Sequence, residues 1–181
     1  MKNALRTTLT AALLLSAASA QAIVITFDEY AAGTVLTNEY AALGVTFSGP
    51  ALVYSQPPFY TSTPNGLAAG GATITASFSS NVSHVSAYFF DSEGGSNVGS
   101  MSAYDINNIL LGTVTATTPA GNTGAGGLPV LLSLDFAGIR SVTFLAPDDG
   151  AVVDDLTIPE PGTLALLAFG LAGIGLRRKQ S

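Results

Sequence analysis

The chain has 181 residues, with twelve Asp and Glu, six Lys and Arg, one His and no Cys. That length suits one ordinary domain with terminal segments, and the missing Cys excludes disulfides, thiolate catalysis and cysteine-ligated zinc. Charged residues are 10% against 48% hydrophobic, too apolar for a disordered chain, and a net charge of −6 excludes a nucleic-acid partner, which needs a basic face. Five of the six basic residues are terminal: Lys2, Arg6, Arg177, Arg178 and Lys179. Between Ile23 and Ile158, eleven carboxylates stand against one cation, Arg140, so that stretch carries −10.

In chain order, the first element is a leader. Lys2 and Arg6 precede a ten-residue apolar run, Leu9 to Ala18, and Ala20-Gln21-Ala22 has the small-x-small form of a cleavage site. The run is too short to span a bilayer, so residues 1–22 are expected to be a secretory signal peptide removed by signal peptidase. Ala18-Ser19-Ala20 fits the same rule, which leaves Ile23 or Gln21 as the mature start.

Residues 23–158 read as β almost throughout. Short runs rich in Val, Ile, Thr and aromatics recur between Gly, Pro, Asn and Ser clusters. Ten strands are expected: 23–27, 45–49, 51–55, 73–79, 84–91, 98–106, 109–117, 130–136, 139–146 and 152–158. Val130, Leu132, Leu134 and Phe136 share one face by period 2, as do Val85, Ala87 and Phe89. Residues 37–43 hint at a helical turn, and Asp105 to Asn108 reads as a hairpin turn. No intervening segment is long enough for a crossover helix, so the strands should pair antiparallel in a sandwich of jelly-roll type. Two long loops are expected, at 56–72 and 119–129.

The acids are the chemically distinctive group. Asp154 shares parity with Val152, Leu156 and Ile158, which sends its carboxylate towards the core, where an unpaired charge is expensive. Arg140 alone cannot neutralise the domain's acids. A calcium ion held by Glu29, Asp154 or Asp155, with Asp28 and backbone oxygens, is one expectation, since calcium takes six to eight hard oxygens. Solvated acids at strand ends are the other. Asp148-Asp149-Gly150 and Asp91-Ser92-Glu93-Gly94 read as solvated turns. His84 is the sole histidine and lies beside Ser83 and Ser86 in no nucleophile motif, so catalysis is not expected. Tyr54, Phe59, Tyr60 and Tyr88 are candidate sugar-stacking residues, and Phe90 falls on the same side of its strand as Tyr88. The alternative for such aromatics is packing in a second sheet.

The C-terminus is a further hydrophobic unit. Pro159-Glu160-Pro161 stops the preceding strand, because neither proline donates a ladder hydrogen bond. Gly162 to Leu176 runs fifteen residues without a charge and ends at Arg177-Arg178-Lys179. As a helix it reaches roughly 22 Å, a short membrane span whose basic end stays cytoplasmic. Residues 159–181 (PEPGTLALLAFGLAGIGLRRKQS) thus resemble a PEP-CTERM sorting signal, with Pro159, Glu160 and Pro161 as recognition element and the basic triplet as membrane anchor. The resemblance implies a Gram-negative-type exported protein, processed by exosortase at the inner membrane and delivered to the cell surface or extracellular polymer.

The cargo carries a second resemblance. ITFDEYAAGTVLTNEYAALGVTFSG at its start, AYDINNILLGTVTA in its middle and VVDDLTI at its end look like motifs of a jelly-roll cargo family common in PEP-CTERM proteins. That family is similar to galactose-binding and carbohydrate-binding modules. In similar jelly rolls, first-strand and last-strand acids meet at one structural calcium. The expectation is therefore a surface-sorted, non-enzymatic β-sandwich acting structurally or adhesively, with exopolysaccharide as partner. The alternatives are a carbohydrate-binding module with a discrete site and, behind it, a secreted hydrolase.

Overall fold

The structure is a computed structural model that describes residues 22–55, 61–62, 64–68, 71–91, 98–118, 128–145 and 151–159. Residues 1–21, where a signal peptide is expected, and the segment from Glu160 lie outside the described residues, as do Phe59, Tyr60, Glu93 and Asp148 to Gly150. Nine strands form: β1 Ala22–Ile25, β2 Val45–Ser48, β3 Leu52–Ser55, β4 Asn65–Ala68, β5 Thr73–Asp91, β6 Val98–Tyr104, β7 Leu110–Thr117, β8 Val130–Leu145 and β9 Ala151–Pro159. One 3-10 turn, Ala41–Leu43, stands where a helical turn was expected. The residues from Ile23 to Pro159 form a compact unit.

Strand order is β3-β4-β9-β5-β8-β6-β7, with β1 on β9 and β2 on β5. Two long strands turn this string of neighbours into two layers. Thr73 to Ser77 of β5 pair with Leu145 to Ser141 of β8, and β2 lies against the same stretch of β5. Beyond register shifts between Ser77 and His84, residues His84 to Phe89 pair with Asp135 to Val130 and also with β9. The inward parity of β5 changes across this corner. Ile74, Ala76 and Phe78 are buried before it, and Val85, Ala87 and Phe89 after it. Opposite, Gly138 takes φ 84°, a left-handed conformation that favours glycine, just where β8 turns. Layer one is β2-β5-β8-β6-β7 and layer two is β8-β5-β9-β4-β3.

The inner faces enclose one hydrophobic core. Phe47, Phe78, Met101, Val142 and Phe144 come from layer one, and Phe89, Leu132, Leu134, Val153 and Leu156 from layer two. Gly99 on β6 shows how close the layers come, because a Cβ there would sit 2.4 Å from the Phe89 ring. Phe27, Tyr30, Tyr40 and Phe47 form an edge-to-face cluster with centroids 5.3 to 6.0 Å apart. This cluster seats Phe27 at φ 64°, an unusual conformation for a bulky side chain. The all-β antiparallel sandwich expected from the sequence is the observed fold. Four expected strands are two continuous ones, β5 and β8, and β4 arises inside the expected loop at 56–72.

Candidate functional site

Asp154 is the fully buried carboxylate among the described residues. Its neighbours in register show which face it occupies. Phe89 pairs with Val153 in the main core, while Phe90 pairs with Val152 in a separate small cluster with Ala68. Tyr88 pairs with Asp154, so Asp154 lies on the face of Val152 and Phe90, away from Leu156 and Ile158. The parity expected from the sequence therefore fails at this point. Asp155 sits at φ 49° where the register slips between Ser86 and Tyr88, and this bulge flips the strand's phase.

The segment 61–65 closes over the carboxylate. Thr61 Oγ1 donates to Asp154 Oδ2 at 2.9 Å, the Ser62 amide donates to the same oxygen at 2.9 Å, and Ser62 Oγ donates to Oδ1 at 3.0 Å. The Asp155 amide completes the set at 2.8 Å from Oδ1. Burial pushes the Asp154 carboxyl above its ordinary range; the Ser62, Thr61 and Asp155 donors pull the other way, and the Asp155 charge adds to the rise. The first-strand acids are engaged nearby. Asp28 Oδ1 accepts from the Asn65 amide at 2.8 Å, and Glu29 Oε2 accepts from the Tyr40 hydroxyl at 2.8 Å. Burial, followed by the bond to Glu29, holds the Tyr40 hydroxyl far above the usual phenol range.

Thus Asp28 and Asp154 are tied to one segment, Thr61 to Asn65, as first-strand and last-strand anchors. Among the described residues, no three acidic or histidine side chains converge as metal ligands would. The donors gathered around Asp154 and Asp28 are the chain's own amides and hydroxyls.

The candidate aromatics divide. Tyr54 on β3 is 37% exposed and pairs with Gly66, and Tyr88 is partly buried. The β4–β9 register, Leu67 to Val153 and Ala68 to Val152, extends by one to set Gly66 beside Asp154. Tyr54, Gly66, Asp154 and Tyr88 therefore form one row across layer two, with the two tyrosines roughly 14 Å apart at three strand spacings. Phe90 has become part of the small cluster with Ala68 and Val152.

His84 has acquired partners that its sequence position did not announce. Nδ1 lies 2.8 Å from Asp135 Oδ1 across the β5–β8 ladder, and Nε2 lies 3.3 Å from Ser86 Oγ. The order carboxylate, imidazole, hydroxyl is that of a charge-stabilised nucleophile, but it lies on an open sheet face. The His84 side chain is 36% exposed and that of Asp135 77%.

A cleft of about 530 Å³ opens on layer one instead. Thr46, Ser77 and Ser141 form its floor in one register row. The β6–β7 turn, with Asp105 and Asn108, walls one side, Ala41 and Gly44 border it too, and Arg140 reaches its lining. Sequence reading singled out the turn and the lone cation separately. Their meeting depends on the long-range pairing of β2, β5 and β8.

Comparison with known proteins defines first a fold and then a sorting class. The chain is similar to the K2 cleaved adhesin domain of Lys-gingipain, with 13% identity and a TM-score of 0.51, over 76% of this chain and 99% of that one. It is also similar to the K3 cleaved adhesin domain of Lys-gingipain from Porphyromonas gingivalis, with 13% identity and a TM-score of 0.44, over 71% and 98%. A third similar structure is the CBM22-1 xylan-binding domain from Paenibacillus barcinonensis, with 15% identity and a TM-score of 0.41, over 78% and 95%. No curated protein matches the chain. Residues 157–179 match the PEP-CTERM protein-sorting motif. The chain carries that motif, which implies export, membrane-anchored sorting and processing by exosortase. Pro159 ends β9, and the rest of the motif lies outside the described residues.

Proposed function

We propose that this exported chain works at the cell surface or in the extracellular polymer as a non-enzymatic adhesive or structural protein, with polysaccharide as its contact. The sorting motif at 157–179 carries this reading, because it directs the β-sandwich that precedes it to where such polymer lies. The likeness in fold to an adhesin domain supports it. So does the open setting of His84, Asp135 and Ser86, which offers an exposed polar patch rather than a reaction chamber.

A second reading, a discrete glycan site, draws on the row that joins Tyr54 and Tyr88. Aromatic faces stack on the C–H faces of sugars, and the polar side chains beside them meet hydroxyls. The test is retention of the purified full-length chain, in detergent, on extracellular polysaccharide from the producing cells. Adhesive function predicts retention by the unaltered chain. If the tyrosine row is the contact, the Tyr54→Ala/Tyr88→Ala variant loses about tenfold in affinity, the loss of roughly one good contact. Equal retention by the variant removes the tyrosine row from the account, and no retention by either removes the adhesive reading.

A further inference from the structure

Arg140 is the only cation between Ile23 and Ile158. A lone guanidinium among eleven carboxylates would ordinarily take one of them as partner. Among the described residues it forms neither an ion pair nor a hydrogen bond; the ion pair found there joins His84 and Asp135. It is half-buried and lines the layer-one cleft.

A carboxylate lines the cleft too: Asp105 follows Tyr104, which pairs with Ser141, so it stands beside Arg140 in register, and its oxygens are already committed. Asp105 Oδ1 accepts from the Asn107 amide at 2.9 Å and the Ile109 amide at 2.8 Å, which caps the β6–β7 turn. The Asn107 side-chain amide donates to Oδ2 at 3.4 Å. Asp105 thus caps the turn with neutral amide donors and forms no ion pair with the guanidinium. The remaining polar side chains of the lining are neutral: Thr46, Ser77 and Ser141 in one row, with Ser79 and Asn108. Ala41 and Ile106 add apolar surface.

We propose that this cleft binds an acidic sugar residue, a uronate, within extracellular polysaccharide. The assignment rests on the adhesive reading above and names its ligand class. The guanidinium fork pairs with the uronate carboxylate, since its fixed donors match a planar anion bidentately. The floor hydroxyls and the Asn108 amide exchange hydrogen bonds with the ring hydroxyls. Ala41 and Ile106 meet the sugar's C–H surface. A neutral sugar would leave the guanidinium fork without a planar anion to pair with, and a bare phosphate has no C–H surface to lay against Ala41 and Ile106. The net charge of −10 repels a polyanion at long range, but salt at physiological strength screens this beyond about 8 Å.

The test is calorimetric titration of the full chain, in detergent, with tetragalacturonate, maltotetraose and inorganic phosphate. Tetragalacturonate should bind more tightly than either of the other two. Arg140→Gln should weaken it at least about tenfold, as expected when a charged hydrogen-bond partner is lost, while Arg140→Lys retains part of the affinity. Ser77→Ala/Ser141→Ala, which leaves the charge in place, should weaken tetragalacturonate and not phosphate. Melting curves check that each variant is folded, and the serine variant stands in if Arg140→Gln is not. Equal affinity for maltotetraose or for phosphate overturns the assignment. So does a tetragalacturonate affinity unchanged in Arg140→Gln and the serine variant, or no binding at all. If the chain still holds the cells' own polysaccharide while ignoring tetragalacturonate, this assignment falls and the adhesive reading stands; if it holds neither, both fall.

Discussion

Asp154 shows how one residue can be read correctly in chemistry and wrongly in direction. Its burial was legible, because an acid among Val152, Leu156 and Ile158 must sit in an apolar stretch. Its face was not, because the bulge at Asp155 leaves no mark in the residue pattern. Its partners, Thr61 and Ser62, are over ninety residues away in sequence and share no motif with it. The effect of pH follows from burial. A carboxyl raised in the fold favours the neutral form, so its contribution is full below the unfolded value, about 3.9, and is lost as pH rises through the folded value. Asp154→Asn removes that titration. The melting temperature of the unaltered chain, relative to Asp154→Asn, should therefore be highest near about pH 4 and decline as pH rises from there. A difference that is flat or grows with pH contradicts this reading of the node.

At the scale of elements, period-2 patterning found the inward residues of the two runs where it was clearest. Val85, Ala87 and Phe89 are buried as one face, and Leu132 and Leu134 as another. What escaped was continuity. Residues 80–83 and 137–138 fall between expected strands, yet each is a corner within one long strand that passes from layer to layer. β4 escaped for a related reason. Asn65-Gly66 is a turn signal, but here both residues are buried in a strand between β3 and β9. The cleft was equally hidden, since it forms only when β2, β5 and β8 align. Close approach makes a sharp prediction at Gly99. Gly99→Ala forces a methyl into the Phe89 ring and should destabilise the fold by about 1–3 kcal/mol through overpacking. Urea unfolding measures it, and a midpoint equal to that of the unaltered chain contradicts the interlayer contact.

For the whole molecule, charge and address are separated along the chain. The cargo bears eleven of the twelve acids and the two ends bear five of the six basic residues. The tail was the most legible part of the sequence, because its proline-acid-proline motif, apolar run and basic cluster are local features. The cargo's ligand was the least legible, because binding surfaces are assembled from distant strands. If the basic cluster holds the tail in the inner membrane before processing, Arg177→Ala/Arg178→Ala/Lys179→Ala should impair processing and surface delivery.

The central claim is that the chain is a sorted surface protein, and fractionation of exosortase-bearing cells tests it most directly when paired with intact-mass measurement of the recovered protein. The account predicts a species that lacks the hydrophobic tail, recovered from the cell surface or the extracellular polymer, and far less of it from the triple variant. Recovery of the full-length chain confined to the cytoplasm or the inner membrane would contradict it.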